Sequence, residues 1–233
     1  MENISQHASQ DLISIDGIIK SLQIQREEKY RAAIRKRIVL DYSPAAFTRL
    51  MKAFAELVMS ERGEYSEFTI DRSNEPVILE LYKYSTMDKS FSGNLFLGVA
   101  LIGSYGCGKS LIMDAYSRLV NQFVQSKGLQ VCPVLFKTSM ELYNLAKSGI
   151  TSQMLHTPLV IDEIGREPKV AKDYGNESTP MIDLLFERHR KGTITHATGN
   201  FTLESLSEMY GKMLGDRLKQ MFNFIKLNGS SRR

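Results

Sequence analysis

Apolar residues recur at helical spacing through the first quarter of the chain, and short apolar runs alternating with amphipathic stretches fill the remainder. Between about Asp11 and Met59, one stripe holds Ile13, Ile15, Ile18, Ile19 and Leu22, and a second holds Ala46, Phe47, Leu50, Met51, Phe54, Leu57 and Val58. Spacing of three to four residues gathers apolar side chains on one face of a helix. Ser43-Pro44 separates the stripes. Ser43 suits an N-cap, and Pro44 suits the first helical position, where its missing N–H goes unneeded. Two or three helices are predicted here, ending at Arg62-Gly63, with the polar stretch through Asn74 as a joint. The predicted domains are a helical N-terminal region, 1–63, and a second domain, 64–233.

Beyond the joint the hydrophobic period switches back and forth, as a parallel sheet with crossover helices requires. Strands are predicted at Phe96–Ile102, Val131–Phe136, Leu159–Asp162, Thr193–Ala197 and Phe222–Leu227. Helices are predicted at Lys109–Val124, Met140–Lys147, Met181–Arg190 and Leu203–Met209. Met213, Leu214, Leu218 and Met221 mark a further helix, with Arg217 on its more polar side. The stretch Arg166–Thr179, rich in charged and small residues, is predicted to be a loop. The fold class is therefore α/β.

Composition narrows this only a little. A chain of 233 residues with 42% hydrophobic content buries one sizeable core plus a smaller appendage. Lys and Arg number 30 against 26 Asp and Glu, a formal charge of +4. That bias suits nucleic acid without establishing it. The two cysteines, Cys107 and Cys132, form neither a disulfide framework nor a metal-binding spacing, so a reducing cytoplasm is the expected location. The first ten residues lack the features of a signal peptide, and the longest apolar run, Leu95–Ile102, is too short to span a bilayer. No membrane association is expected.

The chemistry concentrates in GSYGCGKS, which follows the apolar run FLGVALI and opens a predicted helix. Gly103, Ser104, Tyr105, Gly106, Cys107, Gly108, Lys109 and Ser110 form a phosphate-binding loop. Its glycines let backbone N–H groups wrap phosphates at a helix end that carries roughly half a positive charge. Lys109 is placed to reach the β- and γ-phosphates, and the Ser110 hydroxyl to bind Mg²⁺. Asp162 and Glu163 end the apolar run PLVIDEIG, at the strand edge where parallel sheets bind ligands. Asp162 is the second candidate Mg²⁺ ligand, and Glu163 the candidate base for an attacking water.

Two positions stay open on local pattern. Asn200, after the strand ending at Ala197, either orients that water and contacts the γ-phosphate or is a turn residue ahead of a helix. Arg217 is either a solvated charge or an arginine offered to a neighbouring subunit's nucleotide, a role worth about 10³ to 10⁵ in rate. The basic cluster Lys29, Arg31 and Arg35-Lys36-Arg37 is a solvated helix face or a contact for nucleic acid or an acidic protein. The stripe Ile13–Leu22 is expected to pack inside the N-terminal region.

Together GSYGCGKS, LVIDEIG, THATGN, YGKMLGDRLKQMF and the closing GSSRR resemble the DnaC-like and IstB-like branch of the AAA+ ATPases, over roughly Phe68 to Arg233. The resemblance implies a P-loop AAA+ core with a five-stranded parallel sheet in the order 5-1-4-3-2, preceded by a small helical domain. It also implies ATP and Mg²⁺ as cofactors, ATP hydrolysis, assembly into a homo-oligomer when ATP is bound, and binding to DNA, usually single-stranded. On it, Asn200 matches the sensor-1 position and Arg217 the arginine finger, so the catalytic set becomes Lys109, Asp162, Glu163, Asn200 and Arg217. Gly229-x-Ser231-Arg232-Arg233 is similar to the family's terminal motif. Only six residues follow Leu227, so no C-terminal helical lid is expected. The implied function is that of a replicative helicase loader whose region 1–63 binds the partner, with a transposition helper that recruits a transposase as the alternative. Small-molecule kinases also carry this loop, but the adjacent Asp162-Glu163 favours water as the acceptor.

Overall fold

The computed structural model describes residues 15–35, 37–173, 176–229 and 231. The chain divides into two compact units, Met1–Ile38 and Val39–Arg233. In the first, α1 (Ile15–Arg35) leaves Ile15, Ile18, Ile19 and Leu22 exposed, against the expectation of an internal stripe. Among the described residues of this unit α1 is the one element, and none of them forms a second layer over its apolar face. Ile13 lies outside the described residues. Within the basic cluster, Lys29 is exposed and Arg31 pairs with Glu27 at 3.6 Å, a solvated arrangement; Lys36 is not described.

The second unit opens with α2 (Pro44–Glu61), capped by Ser43 as predicted, whose side chain accepts the Ala46 N–H at 3.3 Å. Then come α3 (Glu75–Ser85), β1 (Gly98–Ile102), α4 (Lys109–Ser126), β2 (Leu135–Thr138), α5 (Ser139–Ser148), α6 (Ser152–His156) and β3 (Leu159–Asp162). A hairpin of β4 (Ala171–Asp173) and β5 (Asn176–Ser178) follows, then α7 (Pro180–Lys191), β6 (Thr195–Gly199), α8 (Leu203–Tyr210), α9 (Lys212–Met221) and β7 (Phe222–Lys226). The sheet is wholly parallel in the order β2-β3-β6-β1-β7. With the antiparallel hairpin set aside and the sheet strands renumbered in chain order, this runs 5-1-4-3-2 from the opposite edge. The central strands β1, β3 and β6 are buried almost throughout, whereas the edge strand β2 is half-buried.

Several elements differ from expectation. The predicted loop Arg166–Thr179 contains the β4–β5 hairpin. The predicted strand Val131–Phe136 begins only at Leu135, where pairing with Leu159 starts, and Val131 is exposed. The helices α3 and α6 were not anticipated. α2 also packs on α4, so the compact unit starts at Val39 and the polar stretch at 62–74 runs within it. Phe47, Met51, Ala55 and Val58 supply the buried face of α2. At its end, Arg118 holds both carboxylate oxygens of Glu61, at 2.7 and 2.8 Å, and Asp114 at 2.8 Å. A bidentate guanidinium of this kind fixes two helices in register.

Beneath the sheet Arg188 of α7 is fully buried without a carboxylate partner among the described residues. It donates to Thr195 Oγ1 at 2.9 Å and to the carbonyls of Met154, Thr157 and Ile194. Burial pushes its pKa down to about 10, and the fan of acceptors keeps it tolerable. Arg188→Ala strands those acceptors in the interior. It is expected to cost about 3 kcal/mol or more of stability by urea unfolding, and a loss below about 1 kcal/mol would contradict the staple role.

Candidate functional site

β1, β3 and β6 are neighbours in the sheet, and all three end on the same edge. Parallel strands aim the helices that follow them back across the sheet, so their carboxyl ends frame a crevice. From β1 the chain turns through Gly103–Gly108 into α4, with Gly106 at φ +76° and Gly108 at φ +99°. Those angles are open to glycine at little cost, and they turn successive backbone N–H groups inward at the start of α4. Lys109 is buried, and its ammonium donates to the carbonyls of Gly103 at 2.9 Å and Ser104 at 2.7 Å.

The loop opens on a cleft of about 940 Å³, a size suited to a nucleotide-like ligand. Tyr105, Gly106, Gly108, Lys109 and Ser110 line it, facing Glu163 to Arg166 and Asn200. A further wall comes from Met59 near the end of α2 and from Arg62, Glu64 and the segment Ser66 to Thr69 between α2 and α3. The structure thus brings seven predicted residues, Tyr105, Gly106, Gly108, Lys109, Ser110, Glu163 and Asn200, into one cleft. Asp162 sits buried at the end of β3 beside it. Gly103, Ser104 and Cys107 do not line the cleft. Cys107 is buried in the loop, 3.7 Å from the Lys109 ammonium. Arg217 is exposed on α9 and lines no part of this cleft. Arg232 and Arg233 lie outside the described residues.

The acidic turn is held by residues that sequence reasoning missed. Buried Thr198 of β6 donates its hydroxyl to Asp162 Oδ1 at 2.5 Å and accepts the Glu163 N–H at 3.0 Å. The Glu163 carbonyl accepts from Ser139 Oγ at 2.9 Å. These bonds hold Glu163 at φ +57°, a left-handed conformation costing of order 1–3 kcal/mol for a residue with a side chain. Its carboxylate meets the Arg166 guanidinium at 2.5 Å. Behind the turn, buried Glu167 accepts the Gly165 N–H at 3.0 Å and the Tyr210 hydroxyl. Burial and the Glu167 charge push the Tyr210 pKa well up, so the phenol stays a donor and ties the turn to α8. Thr198 had a signal in THATGN, a hydroxyl one place before the strand's end. Glu167 and Tyr210 had none, because their pairing is set by tertiary folding.

The residues fit a magnesium nucleotide. The loop has the glycine dihedrals of an anion-binding nest, and among the described residues its ammonium is held by main-chain oxygens and a thiol, partners that a phosphate outcompetes. Ser110 and Asp162 are hard oxygen donors, the type Mg²⁺ selects. Among the described residues no cluster of three or more His, Cys, Asp and Glu forms a metal cage. A Mg²⁺ ion here would draw its other ligands from phosphate and water, its usual arrangement beside nucleotides.

The fold is that of P-loop proteins of the AAA+ class. More particularly, the fold is that of the DnaC-like proteins. The DnaC helicase loader matches with TM-score 0.50 and 18% identity over 69% of this chain and 93% of its own. DnaI matches with TM-score 0.51 and 19% identity over 71% and 87%. A protein described as a primosome component of Streptococcus pyogenes serotype M3 matches with TM-score 0.50 and 18% identity over 70% and 84%. No protein-family profile and no curated protein sequence matches this chain. No helix among the described residues is long and apolar enough to cross a membrane.

Proposed function

We propose that this chain is a Mg²⁺-dependent ATPase that acts as a replicative helicase loader, assembling on DNA when ATP is bound and holding the helicase through its N-terminal region. The observation that carries the ATPase part is the convergence of Lys109, Ser110, Glu163 and Asn200 on one cleft at the sheet's carboxyl edge, with Asp162 buried beside it at the end of β3. The loop N–H groups and Lys109 bind the phosphates. Ser110 and Asp162 would hold Mg²⁺, whose charge would offset that of the phosphates. Glu163 takes the proton of the attacking water, which Asn200 orients. The wall from Arg62 to Thr69 receives the base. The loader part is supported by the fold shared with the DnaC helicase loader and by the exposed apolar face of α1, which offers a partner helix a surface to cover.

The test has two arms. The purified chain should hydrolyse ATP with Mg²⁺, and single-stranded DNA should alter the rate; absence of turnover under all these conditions removes the ATPase. A tagged chain should co-purify a replicative helicase from its native host, and lose it when residues 1–38 are deleted. Capture of a transposase in its place overturns the loader role and favours a transposition helper.

A further inference from the structure

Three phosphate-loop residues, Gly103, Ser104 and Cys107, turn away from the cleft, and what they meet is the segment after β7. The β1–β7 ladder continues past the strand, with the Leu227 N–H donating to the Ile102 carbonyl at 2.8 Å. Ser104 Oγ then donates to the Gly229 carbonyl at 2.8 Å. Two loop glycines make room for the segment. A Cβ on Gly103 would stand 2.3 Å from the Leu227 carbonyl oxygen, and one on Gly106 would stand 2.4 Å from Ser231 Oγ. Gly103 is not among the glycines with positive φ, so its lack of a side chain serves this close approach. Gly229 lies against Cys107, with a Cβ there 3.9 Å from the Cys107 Cβ. None of Leu227, Asn228, Gly229 and Ser231 lines the cleft, so the segment backs the loop without competing for its ligand.

Resting on the nucleotide site proposed above, we propose that Leu227, Gly229 and Ser231 form a brace that positions the phosphate loop, sets its affinity for nucleotide, and senses its occupancy. The brace grips the same residues as Lys109, whose ammonium donates to the carbonyls of Gly103 and Ser104. A phosphate draws Lys109 off those carbonyls, and the change is felt at the Gly103–Leu227 and Ser104–Gly229 contacts. Linkage makes the effect mutual: a brace that favours the binding shape of the loop is itself tightened, by the same factor, when nucleotide binds.

A chain ending at Leu227 should bind a fluorescent ATP analogue with a roughly tenfold higher Kd, within the usual range for coupled sites, while unfolding at the wild-type temperature. Ser104→Ala, which removes only the bond to Gly229, should raise Kd in the same direction by less. In the wild-type chain, ADP should slow hydrogen exchange at the amides of Leu227 to Ser231, a response that a merely structural tail would not give. Wild-type Kd in both variants, with exchange at 227–231 indifferent to ADP, overturns the brace. Should the shortened chain not fold, Ser104→Ala and the exchange measurement decide alone. A wild-type chain that binds no nucleotide overturns the proposed function and the brace with it, whereas equal binding by wild type and variants overturns the brace only.

Discussion

Glu163→Gln is expected to bind ATP as the wild-type chain does and to hydrolyse it about 10² to 10⁴ times more slowly, the range a positioned general base contributes. Glutamine keeps the size and shape of the side chain but cannot take a proton from water at neutral pH. The supports of the turn do not depend on the carboxylate, since the Glu163 N–H and carbonyl are held by Thr198 and Ser139. Lys109 and Ser110 stand on the opposite wall of the cleft, so the phosphate contacts survive and binding is spared. The substitution also weakens the ion pair with Arg166, which must open or be shared before Glu163 accepts a proton. Single-turnover hydrolysis beside equilibrium ATP binding checks the split. Turnover equal to wild type would remove Glu163 from the mechanism, and loss of binding would make it a structural residue of the turn.

Much of this site is legible in the sequence because its parts are local. The loop GSYGCGKS and the pair Asp162-Glu163 each follow an apolar run, and a run bounded by glycines or acids marks the end of a buried parallel strand. The structure sets both at the carboxyl edge. Asn200 follows from the same logic on β6, and it lines the cleft. What the pattern cannot encode is partnership across long separations. The apolar stripe of α2 predicts a buried face, but not that α4 covers it or that the following segment walls the cleft. Thr198 reaches Asp162 and Glu167 reaches Tyr210 over 36 and 43 residues; THATGN offers the Thr198 hydroxyl, but nothing local announces either pairing. α3 was readable in hindsight, with Pro76 in its first turn and Val77, Ile78, Leu81 and Tyr84 at helical spacing. The hairpin was not, because β4 and β5 have three residues each and no clear alternation.

Arg217→Ala is expected to leave ATP binding intact and to lower hydrolysis by about 10³ to 10⁵ in the assembled state. The arginine is exposed on α9 and lies outside the cleft of its own chain. Its neighbour Asp216 is engaged by Lys219 at 3.2 Å. An arginine free to enter another subunit's site stabilises charge that develops on the phosphates only in the transition state, so its loss falls on turnover and not on affinity. A mixing experiment separates this from any effect within one chain. Glu163→Gln chains hold nucleotide and can assemble but lack the base while still carrying Arg217, and Arg217→Ala chains hold nucleotide with an intact cleft but lack the arginine. Each should be inactive alone. Mixed equally in a head-to-tail assembly, roughly a quarter of the sites join an intact cleft to an intact Arg217, and activity should return in that proportion on DNA. A mixture as inactive as its components would show that Arg217 does not act across a subunit boundary, and the cleft would have to complete its chemistry from its own chain.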